Sequence, residues 1–348
     1  MLGHEDIKVI VVDEGDEDIR RRNDEILADV AHEYYGPRER EEWFRKRFGS
    51  SFEKYFRLIP ERCHAETSFG FLRAYEDEAD VIIELDDDVY IQGNFLEAHV
   101  TNLFSEGGVT VHSAGKWYNT IDNLFLNTED RIFPRGHPYM PPCREEDYIW
   151  SDNWGECVLN MGLWSGQPDL DALTIIYHGG LDGKSRILSE GLKREKIIVG
   201  EGTYFALCSM NTAFLPKIVP AFYQLYMNFM DVDRFDDIWS GVFLKKIADR
   251  IGDKICLGKP IGFHDKRPRN IFRDLRREAN GLEMNEIIWR ICDEADLTSK
   301  TYSDCYLELA NHIEKSVDRW FKDAMQIKFW RVQTEKMRIW VEVTDKIA

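Results

Sequence analysis

The amino-acid sequence predicts an α/β fold, in which a sheet is flanked by helices and followed by a helical C-terminal extension. Three observations support this prediction: a β-branched run at Ile7–Val12, an amphipathic charged stretch after it, and a second apolar run at Val81–Leu85. Short, nearly all-apolar strands are typical of sheets that are covered on both faces. A strand, a helix and a strand in succession indicate a parallel, right-handed βαβ arrangement.

The other elements follow from the spacing of apolar residues along the chain. Trp43, Phe44 and Phe48 recur at helical spacing and predict an amphipathic helix within the charged stretch. Further helices are predicted at 66–75, 218–230, 238–251 and from about 285 to the end. Further strands are predicted at 196–199, 206–215, 255–257 and 260–263. The segment 119–171 is rich in Pro, Gly and Trp, which is typical of a working loop region.

Charge and cysteine usage disfavour several classes of function. The chain of 348 residues has a formal net charge of −18, which repels nucleic acid and anionic membrane surfaces. No apolar run reaches the roughly 18 residues that a membrane span needs, and the N-terminus does not resemble a signal peptide. Seven dispersed cysteines indicate free thiols in a reducing compartment. We therefore expect a cytoplasmic protein with no nucleic-acid partner and no membrane span.

Three adjacent carboxylates, Asp86, Asp87 and Asp88, follow the strand predicted at Val81–Leu85. Like charges this close raise one another's pKa, and a hard divalent cation such as Mg²⁺ or Mn²⁺ relieves the repulsion. The carboxyl ends of strands in open α/β sheets are also where ligands bind. We therefore predict a metal site whose remaining coordination positions take a diphosphate; the alternative is a solvated acidic turn.

Several short motifs accompany the acidic one in a fixed order along the chain. They are Phe133–Tyr139, Gly162–Trp164 with Pro168–Asp171, Gly202–Thr203, Cys208–Phe214, Arg234–Trp239 and Phe263–Lys266. Together they resemble the reversibly glycosylated polypeptides, the UDP-arabinopyranose mutases of plants. The resemblance runs from about Ile7 to beyond Glu308, with departures at Pro37–Phe56 and Pro141–Cys143.

The resemblance implies a glycosyltransferase-A-like, mixed sheet, a UDP-sugar substrate and a divalent cation. It also implies interconversion of the pyranose and furanose forms of a sugar such as UDP-arabinose. Residues 1–280 are predicted to form the nucleotide-sugar domain and residues 281–348 the helical extension. The family has a strand and a helix ahead of the segment that matches Ile7–Val12, so the chain is expected to start one unit late.

Catalytic and metal-binding roles also follow from the resemblance. Arg135 matches an arginine that becomes transiently glycosylated; because a guanidinium is a poor nucleophile, a clamp on the departing diphosphate is the other role left open. Asp236 and Asp237 match carboxylates that stabilise an oxocarbenium-like sugar or take a hydroxyl proton, unless they only cap a helix. His264 is expected to be a further metal ligand, which favours Mn²⁺ over Mg²⁺, with a structural histidine as the alternative.

A further set of residues is predicted to bind the nucleotide and the sugar. The residues after the first strand would face the uracil and ribose, Lys266 would face phosphate, and Trp164 would stack on a ring unless it packs in the core. The set comprises Asp13, Gly15, Asp16, Gly202, Asn211, Lys266, Arg144 and Trp164.

Two alternative functions remain open at this point. One is a glycosyltransferase that passes the sugar to a separate acceptor, bound in a groove formed by 119–171. The other is a non-catalytic subunit that pairs with an active homologue. In that case the C-terminal helices would mediate homo- or hetero-oligomerisation, with Trp320, Trp330 and Trp340 partly exposed on one stripe.

Overall fold

A large mixed sheet with surrounding helices organises residues 7–348, the part of the chain that the computed structural model describes. The strands are β1 (Val9–Val12), β2 (His32–Tyr35), β3 (Ile82–Leu85), β4 (Val89–Tyr90), β5 (Val109–Ser113), β6 (Trp117–Tyr118), β7 (Leu124–Leu126), β8 (Tyr148–Ser151), β9 (Cys157–Gly166), β10 (Ser189–Leu192), β11 (Lys196–Val199), β12 (Tyr204–Phe205), β13 (Asn211–Phe214) and β14 (Lys254–His264). The helices are α1 (Glu17–Ile26), α2 (Pro37–Phe48), α3 (Phe52–Phe56), α4 (Ser68–Glu76), α5 (Phe95–Phe104), α6 (Ala172–Tyr177), α7 (Asp236–Ile251), α8 (Ile271–Glu294), α9 (Tyr302–Trp320) and α10 (Ala324–Ile347).

The main path of the large sheet has the order β3-β13-β9-β14-β11-β5-β8. Its two longest strands, β9 and β14, run parallel, whereas β13 is antiparallel to both β3 and β9. β11 is antiparallel to β14 and parallel to β5. The predicted α/β fold with a mixed, helix-flanked sheet and C-terminal helices is thus confirmed.

The predicted parallel pairing between the first strand and the strand before the acidic motif is wrong. β1 pairs in parallel with β2 in a separate two-stranded sheet, and β3 pairs antiparallel with β13. β2 reads His-Glu-Tyr-Tyr, which lacks the apolar signal of a buried strand, so the sequence pattern did not reveal it. α4 packs against β1 and connects this small sheet to β3.

The structure also corrects one predicted helix and one predicted pair of short strands. The helix predicted at 218–230 is only a 3₁₀ turn at Pro216–Ala221, because a proline in an α-helix removes a backbone donor and clashes with the preceding turn. The two short strands predicted at 255–257 and 260–263 form one strand, β14, with a register shift between Gly258 and Gly262. The loop-rich segment 119–171 also contains β9, whose first eight residues are all buried.

The C-terminal helices pack into the same core as the sheet. Trp330 lies with its ring centroid 4.8 Å from that of Trp239, and Trp340 stacks on Tyr223 at 5.0 Å. Both tryptophans are fully buried within the chain, whereas Trp320 is partly exposed, so the three do not form the exposed stripe that the partner-subunit alternative requires. α8 begins at Ile271 and runs across the predicted boundary at 280. None of the helices between residues 7 and 348 is long and apolar enough to cross a membrane.

A buried histidine, His99, joins α5 to the strands β9 and β13 of the large sheet. His99 is inaccessible to solvent; its Nε2 lies 2.9 Å from Asn211 Oδ1, and Asn160 Nδ2 lies 2.9 Å from its Nδ1. Since the amide oxygen only accepts and the amide nitrogen only donates, the ring is neutral with its proton on Nε2. Burial lowers the pKa of His99 to about 4, with a smaller opposing effect from Asn211.

Acidification from pH 7 to pH 5 is therefore expected to destabilise the fold through His99. Its pKa is depressed in the folded state, so its contribution is full above about 6.5, the unfolded pKa, and is lost as the pH falls toward 4. Between pH 7 and pH 5, the unfolding free energy is expected to fall by about 2 kcal/mol through His99. Urea unfolding at both pH values measures it. A His99→Gln variant should lose less stability than the wild type over this interval; equal losses would contradict the assignment.

Candidate active site

The acidic motif begins where β3 ends, beside the start of β13. The Asp86 backbone N–H donates to the Met210 carbonyl at 3.1 Å, which fixes the first residue of the motif. The chain then forms β4, whose Val89 pairs with His264 at the end of β14. Asp88 Oδ2 consequently lies 3.5 Å from His264 Nε2. The structure thus brings the predicted fourth metal ligand to the edge of the predicted acidic motif.

The hydrogen bonding of His264 leaves one nitrogen free for a ligand. Its Nδ1 lies 2.7 Å from the Gln167 carbonyl, which only accepts, so Nδ1 carries a proton. Nε2 is buried, faces Asp88 and has no hydrogen-bond partner within residues 7–348. Two facing acceptors are unfavourable unless a proton or a metal cation lies between them, and metal-binding histidines typically donate their other nitrogen to a carbonyl. These atoms therefore fit a divalent cation.

The other carboxylates of the motif are partly open to solvent. Burial, followed by the charges of Asp88 and Asp86, raises the pKa of Asp87, so the motif carries uncompensated repulsion. Within residues 7–348, no group of three or more His, Cys, Asp or Glu side chains is already gathered closely enough to hold a metal ion. A cation here would therefore need ligands from a bound molecule in addition to those of the protein, as Mg²⁺ sites that use substrate phosphates do.

The side chain of Arg135 is surrounded by buried hydrogen-bond acceptors. Its side chain is 9% exposed; Nη2 lies 2.9 Å from Asp169 Oδ2 and 3.4 Å from Asp237 Oδ2, and Nη1 donates to the Arg234 carbonyl. Burial alone lowers the pKa of Arg135, but the charges of Asp169 and Asp237 outweigh it and hold the pKa well above its usual range. The guanidinium is a fixed cation in this arrangement.

Asp169 joins Arg135 to the end of β14. Its Oδ1 lies 3.0 Å from Lys266 Nζ, and its Oδ2 accepts from Arg135 Nε at 3.0 Å. Burial by itself raises the pKa of Asp169, but Arg135 and Lys266 overcome this effect and hold the pKa well below the usual range. No role was predicted for Asp169, although the Pro168–Asp171 motif that contains it was recognised.

Asp236 and Asp237 are the first two residues of α7, and Phe235 occupies the N-cap position. The alternative prediction, that either aspartate is the helix cap, is therefore wrong. Burial is the main cause that raises the pKa of Asp237, to about 6, with Arg135 opposing it. The backbone N–H of Ser209 lies 3.3 Å from Asp237 Oδ2. A helix N-terminus favours negative charge, which stabilises both carboxylates in this position.

His64 completes the site and was not predicted. Nδ1 lies 2.7 Å from Asp236 Oδ2, and Nε2 lies 3.1 Å from Asp86 Oδ1. A lone histidine in Cys-His-Ala-Glu-Thr carries no spacing or motif that would reveal this role. With it, side-chain contacts and the short chain segments 86–88, 236–237 and 264–266 form a closed series that we call the contact ring. Its members are Asp86, His64, Asp236, Asp237, Arg135, Asp169, Lys266, His264 and Asp88.

The residues predicted to bind the base and ribose lie at the end of β1. Asp13 accepts a hydrogen bond from the Tyr34 hydroxyl. Asp16 caps α1 by accepting from the backbone N–H groups of Asp18 and Ile19, so its side chain has a structural task. A Cβ on Gly15 would lie 2.5 Å from Ile19 Cγ2, so this turn requires glycine.

Four residues that were predicted to contact the substrate make other contacts within the protein. Gly202 donates to Asp249, which lies about 18 Å along α7 from Asp237. Asn211 is fully buried, with its amide bonded to the Pro260 carbonyl and to His99. The remaining two are a core residue and a packing residue: Trp164 is fully buried, and Arg144 stacks on the rings of Tyr139 and Phe133 at 3.9 and 4.4 Å.

Burial contradicts substrate contact for Trp164 and Asn211, whereas Gly202 and Arg144 have structural roles and their predicted contacts stay predictions. The Trp164 ring has no face open to a sugar, and the polar atoms of Asn211 are already satisfied inside the core. Gly202 has a φ of +71°, so its glycine serves a turn. Arg144 braces the segment that carries Arg135, with Nε donating to the Pro138 carbonyl at 3.0 Å.

Comparison with known proteins bears on the site as a whole. The profile of the family described as reversibly glycosylated polypeptide matches residues 63–348, more than half of the chain. The chain belongs to this family. Every residue of the contact ring lies within the matched range, whereas Asp13, Gly15 and Asp16 precede it. The resemblance inferred from the short motifs is confirmed.

Individual members of the reversibly glycosylated polypeptide family are similar over most of the chain. Probable UDP-arabinopyranose mutase 1 of Solanum tuberosum is 29% identical over 280 residues, which cover 76% of this chain and 67% of the relative. UDP-arabinopyranose mutase 1 of Arabidopsis thaliana is 27% identical, over 76% and 69% of the two chains. UDP-arabinopyranose mutase 3 of Arabidopsis thaliana is 29% identical over 249 residues, or 68% and 62%.

Proposed function

We propose that this protein is a metal-dependent mutase that interconverts the pyranose and furanose forms of a UDP-sugar such as UDP-arabinose. One observation carries the proposal: Arg135 is held as a buried cation between Asp169 and Asp237, within the same contact ring as the acidic motif. The names of the relatives, UDP-arabinopyranose mutases, support the substrate and the reaction. An active site for this reaction needs both positive charge for the diphosphate and carboxylates for the sugar.

Asp86, Asp87, Asp88 and His264 are proposed to hold the cation, with Mn²⁺ favoured over Mg²⁺ because imidazole suits it better. When bound, the cation would neutralise charge on the diphosphate. His264 is suited to this task because its unpartnered Nε2 faces Asp88.

Arg135 and Lys266 are proposed to stabilise the negative charge that the diphosphate gains as its bond to the sugar breaks. Both are nearly inaccessible to solvent, and charge stabilisation of this kind is strong where water is excluded. Because the nitrogens of Arg135 are held by acceptors, we assign it this electrostatic role rather than that of a nucleophile.

Asp236 and Asp237 are proposed to act on the sugar. In the mutase reaction, the bond from the anomeric carbon to the diphosphate breaks. The bond from the anomeric carbon to the original ring oxygen is then replaced by a bond to a different hydroxyl oxygen, and the bond to the diphosphate re-forms. No atom is gained or lost. Asp237, with its pKa raised to about 6 by burial, is suited to accept a proton from the closing hydroxyl and return it to the ring oxygen that is released.

Proton NMR of the protein with UDP-arabinopyranose and a low concentration of Mn²⁺, quenched with chelator, tests the proposal. Furanose anomeric signals are expected from the wild type and from a control carrying Asp152→Asn and Asp296→Asn, two exposed carboxylates. No such signals are expected from the Asp86→Asn, Asp88→Asn double variant. An unchanged wild-type spectrum would contradict the mutase on this sugar, and turnover by the double variant would contradict the metal site.

A glycosyltransferase with a separate acceptor is the second candidate. A cavity of about 400 Å³ lies in the loop region where an acceptor groove was predicted, lined by residues of 119–132 with Glu146 and Lys193. Its volume accommodates a sugar, and its lining includes the carboxylates of Asp122, Glu129, Asp130 and Glu146, which can bind hydroxyl groups. Release of UDP that depends on an added acceptor, measured alongside the NMR assay, would favour this function over the mutase.

We also propose a reducing compartment, the cytoplasm, for this protein. All seven cysteines are free thiols, and six of them are buried. Buried free thiols are typical of proteins that are not exposed to disulfide-forming conditions. Localisation of a tagged full-length chain by microscopy checks the proposal.

A further inference from the structure

The position of His64 suggests a role that goes beyond the proposed function and rests on it. The imidazole lies on the 3₁₀ turn His64–Thr67, between the acidic motif and the N-terminus of α7. Its two nitrogens contact carboxylates on opposite sides, at 2.7 Å from Asp236 and 3.1 Å from Asp86. Glu84 of β3 lies 3.7 Å from Nε2. One side chain therefore joins a proposed metal ligand to a proposed sugar-facing carboxylate.

Both contacts of His64 are with hydrogen-bond acceptors. The carboxylates of Asp236 and Asp86 accept hydrogen bonds, so the ring nitrogens of His64 face them as donors. Ser209 Oγ lies 3.4 Å from Nε2 and can accept from it as well. His64 thus bridges Asp86 on one side and Asp236 on the other.

The exposure of His64 distinguishes this contact from core packing. Its side chain is 30% exposed, whereas Asp236 is 3% exposed and Asp86 26%. Truncation of a partly exposed imidazole admits water and leaves no sealed cavity. The buried His99, by contrast, is held by two amides inside the sheet and serves only the fold.

We infer that His64 is a positioning residue that couples the metal site to Asp236. It holds the Asp236 carboxylate in a fixed orientation at the start of α7. It also occupies one lone pair of Asp86 Oδ1, so a cation must compete with it for that atom. Because coupling between two sites is reciprocal, occupation of the metal site changes the contact on Asp236, and the loss of that contact changes metal affinity.

The coupling predicts opposite effects on metal binding and on turnover. Without the imidazole, Asp86 Oδ1 loses the hydrogen bond that competes with a cation, so nucleotide-free His64→Ala should bind Mn²⁺ about five-fold more tightly. Its kcat should nevertheless fall about 10- to 100-fold, with little change in KM, because Asp236 loses its orienting partner. A merely structural role would weaken both together.

Mn²⁺ titration by electron paramagnetic resonance, without nucleotide, and steady-state kinetics of the same proteins test the inference. His64→Asn, whose amide can still donate to Asp236, should recover part of the lost kcat. His178→Ala is the matched control, because His178 lies 3.7 Å from Asp130 in a comparable contact outside the contact ring. This control should behave as the wild type in both measurements.

The outcomes separate the coupling from the proposed function. If the wild type binds Mn²⁺ and turns over the sugar nucleotide, but His64→Ala has unchanged or weaker Mn²⁺ affinity, the coupling alone is overturned. Unchanged kcat in His64→Ala overturns it as well. A wild type that binds no Mn²⁺ overturns the coupling together with the metal site. A wild type that binds Mn²⁺ without turnover overturns the mutase, and the Mn²⁺ affinity of His64→Ala then decides the coupling.

Discussion

Replacement of Arg135 by lysine is expected to reduce kcat about 10²- to 10³-fold, the range found when one charge-stabilising donor is removed from an active site. A lysine keeps the charge but cannot contact Asp169, Asp237 and the Arg234 carbonyl at once, as the guanidinium does. The charge would therefore be retained and misplaced. Steady-state kinetics with UDP-arabinopyranose measure the loss, and KM should change less than kcat.

An exposed arginine provides the control for this substitution. Arg186 is 51% exposed and pairs with Asp182, so Arg186→Lys should leave kcat within a few-fold of the wild-type value. Urea unfolding of both variants is needed to show that the loss of kcat in Arg135→Lys is not a loss of folded protein. If Arg135→Lys keeps wild-type kcat, the electrostatic role of the guanidinium is contradicted.

Replacement of Asp169 by asparagine is expected to cost about 3–5 kcal/mol of unfolding free energy, the range for breaking a buried ion pair by removing one partner. Asp169 is 2% exposed and lies between two cations. Asparagine has nearly the same shape, but it leaves the charge of Lys266 without its partner and that of Arg135 compensated by Asp237 alone. Urea unfolding at pH 7 measures the effect, and the exposed pair variant Asp182→Asn should change stability much less than Asp169→Asn does.

Urea unfolding at several pH values checks whether the effect of Asp169→Asn comes from the loss of its ion pairs. The pKa of Asp169 is held well below its usual range, so its stabilisation is full above the unfolded pKa of about 3.9 and is lost as the pH falls below it. The difference in stability between the wild type and Asp169→Asn should therefore stay constant from pH 7 to pH 5. It should narrow once the pH falls below about 4. If the difference in stability between the wild type and Asp169→Asn narrows already at pH 6, the assignment of the stabilisation to the Asp169 ion pairs is contradicted.

The sequence predicted the parts of the site that lie on recognisable element ends. Asp86–Asp88 follow an apolar run, so local pattern located them, whereas Asp236 and Asp237, at the start of a long helix, were located by the resemblance to the family. Pattern could not locate the partners, because pairing depends on how strands are ordered in space. His64 and Asp169 come near Asp236 and Arg135 only through the order of the large sheet and the packing of α7.

The errors in the predicted fold have a similar origin. Apolar periodicity does not distinguish a helix from a proline-interrupted turn, so 218–230 was predicted as helical although Pro216 and Pro220 lie at its start. It also does not reveal whether an aromatic ring faces a ligand or the core. Trp164 and Trp340 have similar apolar surroundings in the sequence, and both proved to be core residues.

The contact ring also bears on how the protein acquires its site during folding. Its members come from positions 64, 86, 135, 169 and 236, so nearly every contact closes a long loop of chain. Contacts of high sequence separation form late, because the entropy of closing such loops must first be lost. Helices such as α9 and α10, which are neighbours in sequence and in space, can form before them. During refolding, helical structure should therefore return well before ligand-binding competence.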